Sequence, residues 1–192
     1  MKTRFVFLAL LITTALHAEE KKLELAVCNG PFALCAASTC VRTGRNYPHT
    51  KVPEVKCTCP VLPGPSIANL AGEMKGSCDR PKDGVWSLYS LAQSFPQNVN
   101  GTWQSSVPAK VQSCPRTSSN GKLNLYGQCF SYSCRNLHRE NDIELADCYC
   151  PGLVVVGSQR TFATQAGQCG VQVCSEIPVG GPFQLPPGTC DQ

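Results

Sequence analysis

The chain has 192 residues, of which 42% are hydrophobic, and its 17 basic and 13 acidic side chains give a formal charge of +4. This size allows one or two small domains, and so modest a charge excludes the strongly basic surface typical of nucleic-acid binding. Fourteen cysteines dominate the composition, at about the level that marks a disulfide scaffold.

The first 18 residues have the pattern of a secretory signal peptide. Lys2 and Arg4 form a short positive region, residues 5–16 are apolar except for two threonines, and Ala18 is a small residue at the cleavage point. The apolar run is too short to be a transmembrane helix. Leu16 is less usual than alanine at the third position before the cut, so the cut can shift by a residue or more. We predict a secreted or periplasmic protein, with a mature charge of +2 and no membrane span after signal removal.

Export decides how the cysteines are interpreted. In an oxidising compartment a dense, even set of cysteines is read as crosslinks, here up to seven. The sequence lacks the paired Cys-x2-Cys spacing of zinc sites, so we predict no metal and no other cofactor. The predicted structural disulfides involve Cys28, Cys35, Cys40, Cys57, Cys59, Cys78, Cys114, Cys129, Cys134, Cys148, Cys150, Cys169, Cys174 and Cys190.

The spacing of the cysteines repeats along the chain. The first copy contains Cys35, Cys40, Cys57, Cys59 and Cys78, at intervals of 5, 17, 2 and 19 residues. The second contains Cys129, Cys134, Cys148, Cys150 and Cys169, at intervals of 5, 14, 2 and 19 residues. Cys28 and Cys114 are candidate sixth members, whereas Cys174 and Cys190 are candidates for closing a C-terminal loop. The prediction is a mainly β, small disulfide-rich fold made of two tandem, diverged copies of one cysteine-stapled module.

The domain boundaries follow from this repeat. Residues 1–18 are the signal peptide, 19–93 the first cysteine module and 113–192 the second module with a C-terminal extension. Residues 94–112 contain no cysteine and several turn formers, which predicts a linker or crossover. Trp103 within this segment argues against a freely flexible tether.

The Cys-x-Cys elements are predicted to be strands. Residues 54–59 alternate polar and buried-type side chains, so Cys57 and Cys59 share one face with Cα atoms nearly 7 Å apart. Because that separation is at the limit of disulfide geometry, each cysteine should bond elsewhere and staple the strand twice. Pro60 and Pro151 lack a ladder donor and are expected to end these strands.

Other segments also favour strands, whereas helix signals are poor. The best helix candidate is a two-turn stretch from Ser66 to Met74, interrupted by Gly72. Further strand candidates are the segments 85–91, 122–130, 152–157 and 170–174.

Two basic loops supply most of the candidate ligand-binding residues. Arg45 and His49 lie between the second cysteine and the Cys-x-Cys strand of the first copy, and Arg135, His138 and Arg139 lie in the same place in the second. The alternative interpretation is two solvated loops, which is the commoner state of such residues.

Trp86 is the remaining candidate ligand-binding residue. It lies in a strand-like run with Tyr89, where core packing is the competing interpretation.

The function predicted from these features is a secreted, disulfide-stabilised binding or interaction protein. Its partner is an unknown extracellular protein or glycan, and two copies of one scaffold raise avidity when both engage. No catalytic residue is predicted. The alternative is a small secreted hydrolase or inhibitor that uses the His49 and His138 loops, with Glu54 and Glu144 as the only acidic partners the sequence suggests.

Overall fold

The computed structural model describes residues 24–35, 38, 40–90, 94–99, 101–108, 111–114, 125–154, 159–162 and 174–175. The proposed signal peptide, Cys169 and Cys190 lie outside these residues. Within the described part of the chain, no helix is long and apolar enough to cross a membrane.

The described residues are mainly β, as the sequence predicts, and contain no α-helix. The strands are β1 (Leu25–Asn29), β2 (Phe32–Ala33), β3 (Cys40–Asn46), β4 (Pro53–Leu62), β5 (Pro65–Asn69), β6 (Val85–Ser87), β7 (Tyr89–Ser90), β8 (Ser94–Val99), β9 (Thr102–Pro108), β10 (Val111–Cys114), β11 (Leu125–Gly127), β12 (Ser133–Glu140), β13 (Ile143–Val154), β14 (Gln159–Phe162) and β15 (Cys174–Ser175). A 3-10 turn covers Gly72–Met74. We call the described residues of 24–90 the first half and those of 111–175 the second half.

The two longest strands, β4 and β13, join the halves. They pair antiparallel over seven residue pairs, with Cys57 opposite Cys148 and Cys59 opposite Ala146. Alternation along β4 turns Val55, Cys57 and Cys59 to one face, where all three are fully buried. The core of the protein therefore lies on this face of the strand pair.

Five strand pairings close into a ring. β4 pairs with β2, β2 with β6, β6 with β12, β12 with β13, and β13 with β4. β6 of the first half is thus inserted between β2 of its own half and β12 of the other. A side chain at Gly84, just before β6, would overlap the backbone carbonyl oxygen of Cys134 in β12. A glycine at this position lets the two halves approach so closely.

Five disulfides link described cysteines. They are Cys28–Cys78, Cys35–Cys59, Cys40–Cys57, Cys129–Cys150 and Cys134–Cys148. Neither Cys-x-Cys pair is bonded to itself, and each of the two strands is stapled twice, as predicted. Each bridge joins two cysteines of the same half, and none of the five connects the two halves.

The predicted strand ends at Pro60 and Pro151 are wrong, because β4 and β13 both continue past these residues. Along one edge, β4 pairs with β3 as far as Cys57 and with β2 at Val61 and Leu62. Pro60 lies where the neighbour changes, so no ladder bond is lost there, and its carbonyl accepts the Leu34 N–H at 2.8 Å. Pro151 occupies the same kind of junction and accepts the Gln128 N–H at 2.9 Å.

The helix candidate from Ser66 to Met74 is also wrong. Residues 65–69 form β5 between β1 and β7, and only Gly72–Met74 turn, as one 3-10 turn. Pairing with two neighbouring strands gives the backbone N–H and C=O groups of this segment hydrogen-bond partners, which a short helix would have to supply from within itself. The strand candidates at 85–91 and 122–130 contain β6, β7 and β11, and those at 152–157 and 170–174 overlap β13 and β15.

The segment predicted as a linker or crossover contains the β8–β9 hairpin. Phe95 at one end of the hairpin joins a buried cluster of the first half that includes Phe32. Trp103 on the opposite strand is 7% exposed and packs with Ile143 and Leu145 of β13. The hairpin therefore contacts both halves.

Candidate binding cleft

A cleft of about 690 Å³ lies between the two halves. One wall comes from the end of β5 and the 3-10 turn of the first half, and the other from the loop between β11 and β12 of the second half. The lining residues are Asn69, Ala71, Gly72, Glu73, Lys75, Gln128, Phe130, Ser131 and Tyr132.

The second wall is fixed by Ser131, which is buried and has a left-handed backbone (φ 64°). Its hydroxyl accepts the Asn69 N–H at 2.8 Å, and its own N–H donates to the Ser87 carbonyl at 2.7 Å. The Ser87 N–H in turn donates to the Tyr132 carbonyl at 2.8 Å. These three hydrogen bonds, one of them accepted by the Ser131 hydroxyl, hold the loop against the first half.

Glu73 projects from the 3-10 turn, and two donors hold its carboxylate. The Tyr47 hydroxyl donates to Oε1 at 2.9 Å, and the Ser133 N–H donates to Oε2 at 3.4 Å. Lys75 ends the turn in a left-handed conformation (φ 51°). The cleft therefore contains one anchored acid and one base on the same short turn.

Each aromatic ring of the cleft lining packs on a further ring. The rings of Tyr47 and Tyr132 meet edge to face, with centroids 5.7 Å apart and planes at 83°. Phe130 packs on Tyr89, with centroids 4.4 Å apart. Each ring in the lining is thus braced by a second ring outside it, which limits rearrangement of the wall.

The two tyrosine hydroxyls stay protonated well above neutral pH. Burial, followed by the hydrogen bond to Glu73 and the charge of Glu73, raises the pKa of Tyr47 far above its ordinary value. Burial and the charge of Glu73 also raise the pKa of Tyr132. These hydroxyls therefore act as neutral donors and acceptors, and the side chain of Glu73 accepts the hydrogen bond from Tyr47.

The chemistry of the lining is mixed and balanced. A carboxylate, an ammonium group, two side-chain amides and a hydroxyl surround two partly buried aromatic side chains, and the two charges cancel. The volume lies within the roughly 300–1,000 Å³ typical of small-ligand sites, which combine apolar walls with a few placed polar groups. Such a cleft suits a polar ligand without net charge.

The candidate ligand residues of the first basic loop, Arg45 and His49, are not among the residues that line the cleft. Arg45 in β3 is occupied by Glu54, with Nε and Nη2 at 3.2 and 2.8 Å from Oε1. Glu54 is thus paired with Arg45, although the sequence suggested it as a partner for His49. His49 is exposed in the turn between β3 and β4, with φ 60°.

The candidates of the second loop lie on β12. Arg135, His138 and Arg139 are all exposed along this strand. The His138 ring contacts the Asn136 carbonyl at 2.8 Å through Nδ1 and Glu140 at 3.7 Å through Nε2. Arg139 lies opposite Glu144 in the register of β12 and β13.

The structure does not bring the two basic loops together. Because β4 and β13 are antiparallel, with Glu54 opposite Pro151 and Pro60 opposite Leu145, the two hairpin turns leave opposite ends of the pair. Six residues at about 3.3 Å each separate these ends by roughly 20 Å. Each loop therefore forms its own surface.

Trp86 is half-buried in β6. Its indole N–H donates to the Asp79 carbonyl at 2.7 Å, and its ring packs against the buried cluster around Phe32. The side chain contributes to packing and lies outside the cleft lining.

The cleft residues themselves were not identified from the sequence. Glu73 follows a glycine in an undistinguished turn, and Phe130 and Tyr132 lie between Cys129 and Cys134, where the repeat pointed only to the cysteines. The two walls come from distant parts of the chain, so their proximity depends on the β6–β12 pairing, which leaves no local pattern.

Two groups of three buried cysteines have metal-like proximity, with sulfur atoms within 4.8 Å of one another. They are Cys35, Cys134 and Cys148, and Cys57, Cys129 and Cys150. All six sulfurs are in disulfides, so they are not the thiolates that bind zinc.

Comparison with known proteins gave no match to any family model, curated protein or solved structure.

Proposed function

We propose that this protein is exported by the signal peptide at residues 1–18 and acts outside the cytoplasm as a disulfide-stabilised binding protein. We further propose that it consists of two diverged copies of one module, and that the cleft between the halves holds a neutral glycan. The observation on which the binding proposal rests is the cleft itself, with its anchored carboxylate, its braced aromatic rings and its balanced charge.

The five disulfides support export. Such a number is consistent with an oxidising, extracellular compartment and unusual for the cytosol. The N-terminal sequence has the features of the corresponding export signal, namely a basic start, a short apolar run and a small residue before Glu19.

The duplication is supported by the disulfide order as well as by the spacing. In both halves, the first cysteine of the copy bonds to the fourth and the second bonds to the third. β2 and β6 pair in parallel in the first half, and β11 and β15 do so in the second. The antiparallel pairings of β2 with β4 and of β11 with β13 also correspond. Phe32 lies opposite Leu62 in the first half, and Tyr126 lies opposite Leu153 at the equivalent position in the second.

A glycan fits the cleft better than a charged peptide does. A sugar ring offers apolar C–H faces to Phe130 and Tyr132, and its hydroxyls both donate and accept hydrogen bonds. Glu73 accepts such bonds and Lys75 donates them, while their opposite charges leave little net attraction for a charged ligand. A protein partner remains the competing outcome of the test below.

The test is binding to a panel of neutral and acidic oligosaccharides and to a peptide library, using the mature, oxidised protein. We expect retention of neutral oligosaccharides, with binding weakened by roughly tenfold or more in Glu73→Gln and Tyr132→Ala, as for loss of a buried contact. Retention of peptides only, or equal glycan binding by wild type and both variants, would refute the assignment.

The basic loops provide the matched controls. Arg139→Ala and His49→Ala change exposed side chains outside the cleft lining and should leave glycan binding unchanged. If these variants lost binding while the cleft variants kept it, the loops would be the ligand site. The hydrolase alternative receives no added support, because His49 and His138 lie on separate surfaces.

A further inference from the structure

Four of the disulfides contact one another in pairs across the interface between the halves. The sulfur atoms of Cys35 and Cys148 lie 3.0 Å apart, although each belongs to a different disulfide. The sulfur atoms of Cys57 and Cys129 lie 3.5 Å apart in the same way. Each contact joins one cysteine of the first half to one of the second.

The two contacts are related by the repeat. Cys35 and Cys129 are the first cysteines of the two copies, and Cys57 and Cys148 are the third ones. Each contact therefore joins a first cysteine to a third cysteine of the other copy. Such recurrence is expected when two equivalent halves face each other, and it distinguishes the arrangement from a single accidental approach.

We propose that each pair of contacting disulfides is a thiol–disulfide exchange site, at which bridges within the halves convert into bridges between them. Exchange requires a thiolate that can reach a disulfide sulfur. In both pairs, a sulfur released from one disulfide already lies within 3.5 Å of a sulfur in the other. The product at the first site is a Cys35–Cys148 bridge between the halves.

The reaction balances without an oxidant when one thiolate is present. A Cys148 thiolate attacks the Cys35 sulfur, a Cys35–Cys148 bond forms, the Cys35–Cys59 bond breaks, and Cys59 leaves as the thiolate. One disulfide and one thiolate are present before and after the step. In the fully oxidised protein, after local opening, a small-molecule thiolate first attacks Cys134, forms a mixed disulfide with it and releases the Cys148 thiolate. After the exchange, the Cys59 thiolate attacks Cys134, a Cys59–Cys134 bond forms, and the small-molecule thiolate leaves.

Burial keeps the sites inactive in the intact protein. All eight cysteines of the four bridges are at most 3% exposed, so an external thiol cannot reach them without local opening. An apolar environment also raises the pKa of a thiol, which lowers the thiolate fraction. The exchange can therefore take place during folding, or after substitution of one cysteine leaves its disulfide partner as a free thiol.

Single-cysteine variants place the initiating thiol inside the core. In Cys134→Ser, Cys148 loses its partner and keeps its place beside Cys35. After incubation at mildly alkaline pH, acid quenching and alkylation, peptide mapping reports which cysteine carries the free thiol. We expect roughly a tenth or more of the label on Cys59, together with a Cys35–Cys148 peptide.

A second variant and a matched control complete the design. In Cys150→Ser, the free Cys129 is next to Cys57, so part of the label should move to Cys40. In Cys78→Ser, the free Cys28 is outside both groups of clustered sulfurs, so the label should remain on Cys28. Label that stays entirely on Cys148 and on Cys129 in folded variants would overturn the proposal.

The double variant Cys59→Ser/Cys134→Ser keeps the proposal testable if single variants do not fold. It retains Cys35 and Cys148, which lie in contact, and removes both partners. Refolding with oxidised glutathione should join them, with reduction of one glutathione disulfide to two thiols. Two free thiols, or two glutathione adducts, would overturn the proposal.

Discussion

Cys57 and Cys148 lie directly opposite each other where β4 and β13 pair, and each is bonded to its own hairpin partner, Cys40 or Cys134. The residues that staple the two hairpins are therefore also the residues at which the halves meet. Both are fully buried, as are the disulfide partners. Stability of the halves and stability of their interface are coupled at this point, because the same side chains contribute to both.

The close approach of Gly84 to β12 predicts a large effect for Gly84→Ala. The added carbon would overlap the Cys134 carbonyl oxygen, a backbone atom that cannot rotate away. We expect a loss of about 3 kcal/mol in the free energy of unfolding, at the upper end for overpacking. Chemical denaturation of the oxidised protein measures this loss.

The control for this substitution is Gly44→Asn. Gly44 has φ 79° and open space around its Cα, and asparagine adopts this left-handed conformation more readily than most residues. We expect its unfolding free energy to remain within about 1 kcal/mol of the wild type. Equal losses in both variants would contradict the close approach of β6 and β12.

The Lys56–Asp147 pair links the halves on the other face of the strands and predicts an acid-sensitive contribution to stability. Nζ and Oδ2 are 2.9 Å apart, and the Thr58 hydroxyl donates to Oδ1 at 3.1 Å. Burial alone would raise the pKa of Asp147, but hydrogen bonds from Lys56, Asn136 and Thr58 outweigh it and lower the pKa. The contribution is therefore complete above the unfolded pKa of about 3.9 and is lost as the pH falls through the lower folded value.

Asp147→Asn tests this sign. At neutral pH we expect the variant to be less stable by about 1–2 kcal/mol, the usual range for a charge-assisted hydrogen bond near a surface. The gap should close as the pH falls below about 4, because the wild-type carboxyl also becomes neutral. Glu140→Gln, which affects an exposed contact with His138, serves as the control. A gap that persists at low pH would contradict the ion-pair interpretation.

We predict that two tyrosines at the cleft ionise late in an alkaline titration, at a pH above that of an ordinary tyrosine. Because the pKa values of Tyr47 and Tyr132 are raised, both phenols should ionise above the ordinary value of about 10. Their neutral forms stabilise the fold below that pH, and this contribution is lost as the pH rises through the folded values.

Spectrophotometric titration of the wild type, Tyr47→Phe and Tyr132→Phe measures this effect. Each substitution should remove one phenol from the late phase. Glu73→Gln should shift both late phenols toward ordinary values, because the charge that opposes their ionisation is gone. An unchanged late phase in Glu73→Gln would contradict the placement of Glu73 beside these hydroxyls.

The sequence predicted the covalent framework better than the site. Cysteines two residues apart on one strand cannot easily bond to each other, so the double staple at Cys57 and Cys59 followed from local geometry. The course of the strands past Pro60 did not, because it depends on a change of neighbour from β3 to β2. The cleft was the hardest feature to predict, since Glu73 and Tyr132 become neighbours only through pairing between the halves. Trp86, proposed as an exposed aromatic residue in a strand-like run, packs outside the cleft lining.

The measurement that tests the account most directly is a disulfide map of the exported, unreduced protein. We expect a chain that begins at Glu19 and contains the Cys40–Cys57 and Cys134–Cys148 bridges, with Cys35 bonded to Cys59 and Cys129 to Cys150. A cytosolic chain that retains residues 1–18 and carries free thiols at these eight positions would contradict it.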